Sequence, residues 1–268
     1  MRTVRLGDGP AMPMVGFGTW QIKGRKAYEA VLFALRAGYR HIDTATMYGN
    51  EAEVGRALAD SGVPREDVFI TTKLPPDRVG QAWATLEASL KALDVQAVDL
   101  WLLHWPTSAA KLVGAWEQLV TARKDGLARA VGVSNFSTAE LDQVTRATGE
   151  KPAVNQIPWS PWQHSAQRLA DHVERGIVLE GYSPFRRSDL NAPVLAEIAT
   201  AHGRTPAQVV LQWHLQHDIV VIPKSATPER ITENLDVDNF TLTPDEQTSL
   251  DKLYLQPWSW PQQDPRDR

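Results

Sequence analysis

Asp43, Tyr48, Lys73 and His104 lie in order along the first half of the chain, each at or just after the end of a strand-like run. Their types suit the transfer of a proton. A phenol has a pKa of about 10 and is a poor acid near neutrality unless a nearby positive charge stabilises its phenolate. Lys73, ending Phe69-Ile70-Thr71-Thr72-Lys73, could supply that charge, and a carboxylate such as Asp43 beside it would keep a buried ammonium protonated. His104, ending the run from Val98, could donate a hydrogen bond from its neutral tautomer to a substrate carbonyl and turn that oxygen toward Tyr48. Singly, each has a plainer reading: helix cap, loop aromatic, surface charge, core histidine. Asp43, Tyr48 and Lys73 would form one electrostatic unit, and four such residues at successive strand ends favour a proton relay.

Such a unit needs strands that bring their ends together. Short β-branched runs alternate with longer amphipathic stretches, Val68 to Leu74 then Val79 to Asp94, and Val98 to His104 then Lys111 to Gly126. This alternation implies parallel strands with crossover helices. Further strands are expected at Met14 to Trp20, Tyr39 to Asp43, Ala128 to Asn135, Pro152 to Ile157, Ile177 to Ser183 and Ile219 to Pro223, making eight. Eight units without a linker, and without a GxGxxG after any strand, favour a closed (β/α)8 TIM barrel spanning residues 1–268 over an open sheet. Thr3 to Ala11, with Gly7-Asp8-Gly9-Pro10, reads as a hairpin plugging the barrel bottom. Ser137 with Glu140 is a capping box, and Thr205-Pro206 and Thr243-Pro244-Asp245-Glu246 open extra helices near the C-terminus. Pro257 to Arg268 is polar and Pro-rich, a surface tail in which Trp258 and Trp260 are either docked on the barrel wall or form a flap over the pocket.

The 268 residues suit one barrel of about 250 residues. With 43% hydrophobic and 22% charged residues, the chain can build a sizeable core and is not a disordered one. No apolar run reaches the roughly 18 residues of a membrane helix, and MRTVRLGDG lacks the apolar stretch of a secretory signal, so a cytoplasmic protein with no membrane partner is expected. Cysteine is absent, which removes disulfides, a thiolate nucleophile and Cys-ligated metals. A net charge of -4 argues against a nucleic-acid partner, which needs a basic face. Ten tryptophans exceed ordinary usage; most should fill the core, and the rest suit an aromatic-lined cleft for a small molecule.

Three separated motifs carry a family resemblance: Gly38-Tyr39-Arg40-His41-Ile42-Asp43-Thr44-Ala45 through Tyr48-Gly49-Asn50-Glu51 to Val54-Gly55; Arg129 to Phe136; and Ile222-Pro223-Lys224-Ser225 with Arg230, Glu233 and Asn234. In their order and separation, over nearly the whole chain, the sequence resembles the aldo-keto reductases, and looks nearest to bacterial 2,5-diketo-D-gluconate reductases. The resemblance implies NADP(H) bound without a Rossmann domain, Tyr48 as proton donor, Lys73 and Asp43 tuning it, and His104 orienting the carbonyl of a small-molecule substrate. It also implies that Ser134, Asn135 and Gln156 hold the nicotinamide carboxamide and that Tyr182 stacks on the ring. By the same likeness Lys224, Ser225 and Arg230 take the adenosine 2′-phosphate, with Glu233 and Asn234 at the adenine. Ser183, Arg186 and Arg187 add polar and basic groups where barrels commonly bind phosphate. Trp20, Met47, Trp105 and a C-terminal Trp258 or Trp260 would line the substrate pocket. The short segment after His104 implies an open cleft, and a monomer is expected.

One departure stands out. After Asn155-Gln156-Ile157 the chain has Pro158-Trp159-Ser160-Pro161-Trp162, where the family more often has an acidic residue and then Leu-His-Pro with an aromatic; Trp159 should either narrow the pocket or pack outward. Two other readings compete. A nucleotide-binding regulatory barrel without turnover would keep the cofactor motifs but has no need of the intact tetrad. A metal-dependent hydrolase would use His41, Asp43, His104 and His164, yet Lys73 would repel the cation.

Overall fold

The computed structural model describes residues 2–186 and 188–254. Thr3–Arg5 (β1) and Ala11–Pro13 (β2) form the antiparallel hairpin, with Val4 opposite Met12, so the second strand continues two residues past Ala11. Its turn lies close to Arg129 and Ala130, at the start of a barrel strand, and therefore under the barrel.

Eight parallel strands follow: Phe17–Gly18 (β3), His41–Asp43 (β4), Phe69–Leu74 (β5), Val98–Leu103 (β6), Ala128–Ser134 (β7), Val154–Pro158 (β8), Val178–Tyr182 (β9) and Val220–Ile222 (β10). Each pairs with the next in sequence, and the ring closes where Val221 N donates to Met14 O at 2.8 Å, Gly16 N to Val221 O at 2.9 Å and Gly18 N to Pro223 O at 3.1 Å. Gly24–Ala37 (α1), Glu51–Ser61 (α2), Ala82–Leu93 (α3), Ala109–Lys124 (α4), Thr138–Thr148 (α5) and Ala166–Arg175 (α6) connect successive strands from β3 to β9. Pro193–His202 (α7) and Pro206–Gln216 (α8) lie between β9 and β10, and Pro228–Leu235 (α9) and Pro244–Asp251 (α10) follow β10. The fold is a (β/α)8 barrel with a hairpin beneath it and additional late helices. Among the described residues no helix is long and apolar enough to cross a membrane.

The local chemistry explains the elements. Every residue of β5 and β6 is buried, as in a strand covered on both faces; β6 is nearly all apolar, whereas β5 also buries Thr71, Thr72 and Lys73. Reciprocal capping boxes start α5 (Ser137 with Glu140), α8 (Thr205 with Gln208) and α10 (Thr243 with Glu246), each satisfying donors that a helix start leaves unpaired. The expected strand from Met14 to Trp20 shrinks to Phe17–Gly18 plus a bridge at Val15, and Val79 to Asp94 divides into a 3-10 turn and α3. Apolar sequence reports burial, which extends beyond the hydrogen-bonded ladder.

The core has two parts, the barrel with its inner helix faces and a second cluster in which Ile157, Trp159, Leu195, Trp213 and Leu250 join β8 to α7, α8 and α10. Trp159 is fully buried there, so of its two expected positions it takes the outward one. Gly55 marks a close approach on the other side: a Cβ there would lie 2.6 Å from Leu93 O, because α2 rests against the end of α3. Gly55→Ala should destabilise the fold by about 1–3 kcal/mol, read as a lower thermal midpoint.

Candidate active site

Asp43 ends β4, and Lys73 lies on β5, where Asp43 pairs with Thr71 two residues before it. The alternation of a strand turns Asp43, Thr71 and Lys73 to one face. Lys73 is wholly buried, and its Nζ donates to Asp43 Oδ1 at 2.7 Å, Asp43 Oδ2 at 2.8 Å and Thr44 O at 2.9 Å. Tyr48 OH stands 3.4 Å from the same nitrogen, in the turn Thr46–Tyr48 that follows β4. Asn50 anchors that turn, accepting from Thr44 Oγ1 at 2.7 Å and donating to Thr19 O and Ile22 O. The phenol thus faces a fixed positive charge, which favours its ionised form.

His104 follows β6 and meets Tyr48 edge to face at a centroid distance of 5.7 Å. Burial, with the Lys73 ammonium adding to it, holds its pKa well below the usual imidazole range. Its Nδ1 is buried with no hydrogen-bond partner among the described residues. An orphaned N–H costs more than an orphaned lone pair, so the single proton belongs on Nε2, making that nitrogen the donor.

The tetrad continues into the barrel. Gln156 on β8 donates from Nε2 to Asp43 Oδ2 at 2.8 Å and to Glu180 Oε2 at 2.9 Å, Glu180 being its register partner on β9. His41, two residues before Asp43, has Nε2 3.6 Å from Glu180 Oε1 and donates from Nδ1 to Pro13 O at 3.1 Å. Burial pushes His41 down to about 4, so it is neutral. The sequence reading gave His41 no role except as a metal ligand, and did not single out Glu180; the available signal was a single carboxylate in the apolar run Ile177-Val178-Leu179-Glu180. His164, the remaining metal candidate, stands apart with Trp159, Trp213 and His217.

Asn135 follows β7 with φ +64° and ties three elements: Nδ2 donates to His104 O and Ser134 Oγ, while Oδ1 accepts from Tyr182 OH at 2.9 Å. Ser134 turns its hydroxyl to Gln156 O. With their N–H bonds committed, Asn135 and Gln156 have only acceptor oxygens left for a ligand, a match for the two N–H bonds of a carboxamide. Ser183, with φ +53°, follows β9.

Exposed Lys224 and buried Ser225 follow β10, and exposed Arg230 lies in the first turn of α9, where amide dipoles also favour an anion. Glu233 accepts from Thr205 Oγ1 at 2.6 Å, and Asn234 is buried. At the mouth, Met47 is exposed, Trp105 is buried beside His104, and the Arg186 guanidinium lies 5.6 Å over the Trp20 ring. Arg187, Trp258 and Trp260 lie outside the described residues.

Comparison with known proteins identifies the family. The profile of the Aldo/keto reductase family matches residues 14–255. An aldo-keto reductase of Mycolicibacterium vanbaalenii is 47% identical over 255 residues, covering 94% of this chain and 91% of its own. A methylglyoxal reductase of Salmonella typhimurium is 41% identical over 254 residues, covering 93% and 92%. Among solved structures, an aldo/keto reductase from Brucella melitensis superposes with a TM-score of 0.91 at 40% identity, covering 94% of this chain and 99% of its own. A Bombyx mori aldo-keto reductase in complex with NADP gives 0.89 at 31% identity, covering 94% and 92%. The chain belongs to the aldo/keto reductase family, whose NADP-dependent oxidoreductases reduce carbonyl groups.

Proposed function

We propose that this barrel acts as a monomeric single domain that reduces a small aldehyde or ketone, with Tyr48 as the proton donor. The observation that carries this reading is the Lys73 ammonium held between the Asp43 carboxylate and the Tyr48 hydroxyl at the strands' C-terminal ends. Bound NADPH supplies a hydride to the carbonyl carbon. His104 Nε2–H receives the carbonyl oxygen and orients it, and Tyr48 gives that oxygen its proton as negative charge develops there. Lys73 and Asp43 stabilise the phenolate that remains. Asn135 and Gln156 accept from the carboxamide with Ser134 holding Gln156 in place, and Tyr182 offers its ring face. Ser183 and Arg187 serve the phosphates, Lys224, Ser225 and Arg230 the 2′-phosphate, and Glu233 and Asn234 the adenine.

Trp20, Met47 and Trp105 make an aromatic, partly open mouth suited to a small substrate. Methylglyoxal, after which the Salmonella relative is named, and 2,5-diketo-D-gluconate are both small molecules with two reducible carbonyl groups. A small dicarbonyl of this kind is the proposed substrate. The test is NADPH oxidation by the purified protein with methylglyoxal, 2,5-diketo-D-gluconate and a nitrobenzaldehyde, repeated with NADH. No turnover with any of them, despite tight NADPH binding, would replace this reading with that of a regulatory barrel. Arg230→Ala should raise the KM for NADPH roughly ten- to a hundredfold, as expected for loss of a charged hydrogen bond, and leave the KM for NADH nearly unchanged.

A further inference from the structure

We propose that Glu180 enters turnover as a neutral carboxylic acid and acts as a positioning residue, fixing the Gln156 amide and the net charge beneath Tyr48. This rests on the reductase reading above.

The argument is one of hydrogen-bond supply. Glu180 is wholly buried on the inward face of β9. Among the described residues a single donor reaches it, Gln156 Nε2 at its Oε2, and Oε1 has no hydrogen-bond partner. An ionised carboxylate offers about four acceptor sites and is costly to bury with one neutral donor. Asp43 worsens the case, because the two carboxyl groups accept from the same amide nitrogen and lie too close for both to be ionised cheaply. Lys73 gives it no hydrogen bond, since its donors are directed to Asp43, Thr44 and Tyr48, and its charge offsets only part of the cost.

A neutral acid removes these conflicts. Its Oε2 still accepts from Gln156, and a proton on Oε1 faces His41 Nε2 at 3.6 Å, a nitrogen that is an acceptor because Nδ1 donates to Pro13 O and that Thr71 Oγ1 also approaches at 3.4 Å. The ionisable groups facing Glu180 are His41 and Asp43 on β4 and Lys73 on β5, with Asp99 beyond His41; β10 adds only Val220, Val221 and Ile222. Burial, reinforced by the Asp43 charge, pushes the Glu180 carboxyl up to about 8. Near neutrality the charged pair beneath Tyr48 is then Lys73 and Asp43, to which Glu180 adds no charge.

The positioning role follows from the same bonds. Gln156 Nε2 has two hydrogens and both are taken, which fixes the amide so that its Oε1 is the atom left for a carboxamide. At alkaline pH, ionisation of Glu180 adds a negative charge that helps Tyr48 keep its proton.

Two measurements test this. In wild-type protein carrying 13C-labelled glutamate side chains, one carboxyl resonance should titrate near pH 8, and Glu180→Gln should remove it. In steady-state reduction, the alkaline limb of the kcat profile of Glu180→Gln should move to lower pH by roughly half a unit to one unit, as expected for losing a nearby charge. Its kcat near pH 6.5 should stay within about threefold of wild type, since Gln keeps the acceptor to Gln156. A purely structural Glu180 would lower activity without moving the limb. A wild-type spectrum in which the Glu180 carboxyl titrates near the ordinary glutamate value, or an active variant with an unmoved limb, overturns the inference while leaving the reductase reading intact. If the variant does not fold, through-bond assignment of the carboxyl resonance to Glu180 in the wild-type protein lets the titration decide.

Discussion

Tyr48→Phe should lower kcat for carbonyl reduction by roughly 10²- to 10⁴-fold, the usual contribution of a positioned general acid, while the Kd for NADPH stays within about twofold. The substitution removes one oxygen. The ring remains to meet His104 at 5.7 Å and to lie under Lys73, whose Nζ is 4.9 Å from its centroid, so the pocket keeps its shape. Steady-state rates with a dicarbonyl and fluorescence titration with NADPH separate the two quantities. Unchanged turnover would discard Tyr48 as the acid, and loss of binding together with rate would assign the hydroxyl a structural part.

Lys73→Met should abolish most turnover and also destabilise the protein by about 3–5 kcal/mol, the cost of leaving one member of a buried ion pair without its partner. Lys73 and Asp43 are both buried and joined by bonds of 2.7 and 2.8 Å. The Asp43 carboxylate would then keep Gln156 as its remaining donor among the bonds described above. The double variant Asp43→Asn/Lys73→Met removes both charges, so it should recover most of the stability in denaturant unfolding and none of the activity. Recovery of both would mean that the charge beneath Tyr48 does not matter to the reaction.

Much of this was legible in the sequence, for identifiable reasons. Asp43, Lys73 and His104 close apolar runs, and polar residues at parallel strand ends have few uses other than a site. The capping box at Ser137 and the helix starts at Thr205-Pro206 and Thr243-Pro244 are local chemistry and hold without tertiary context. Other features depend on contacts that sequence does not contain. Trp159 closely follows Gln156 in sequence, but its surroundings come from α7, α8 and α10, elements whose packing no local pattern reveals. Glu180 was passed over because the reading searched strand ends, and this carboxylate lies two residues short of one, joined to Asp43 only across the barrel. The meeting of Arg186 with Trp20 likewise joins loops from opposite parts of the chain.

The ring that closes through Met14, Gly16 and Gly18 against Val221 and Pro223 has a consequence for biosynthesis. A ribosome delivers the first stave long before the last, so the growing chain carries two raw sheet margins throughout nearly all of translation. Contacts between such distant positions form slowly, and unpaired margins invite association with other chains. Yield in a host should therefore respond to chaperone supply and growth temperature, and truncation before Pro223 should give aggregates in place of a smaller working enzyme.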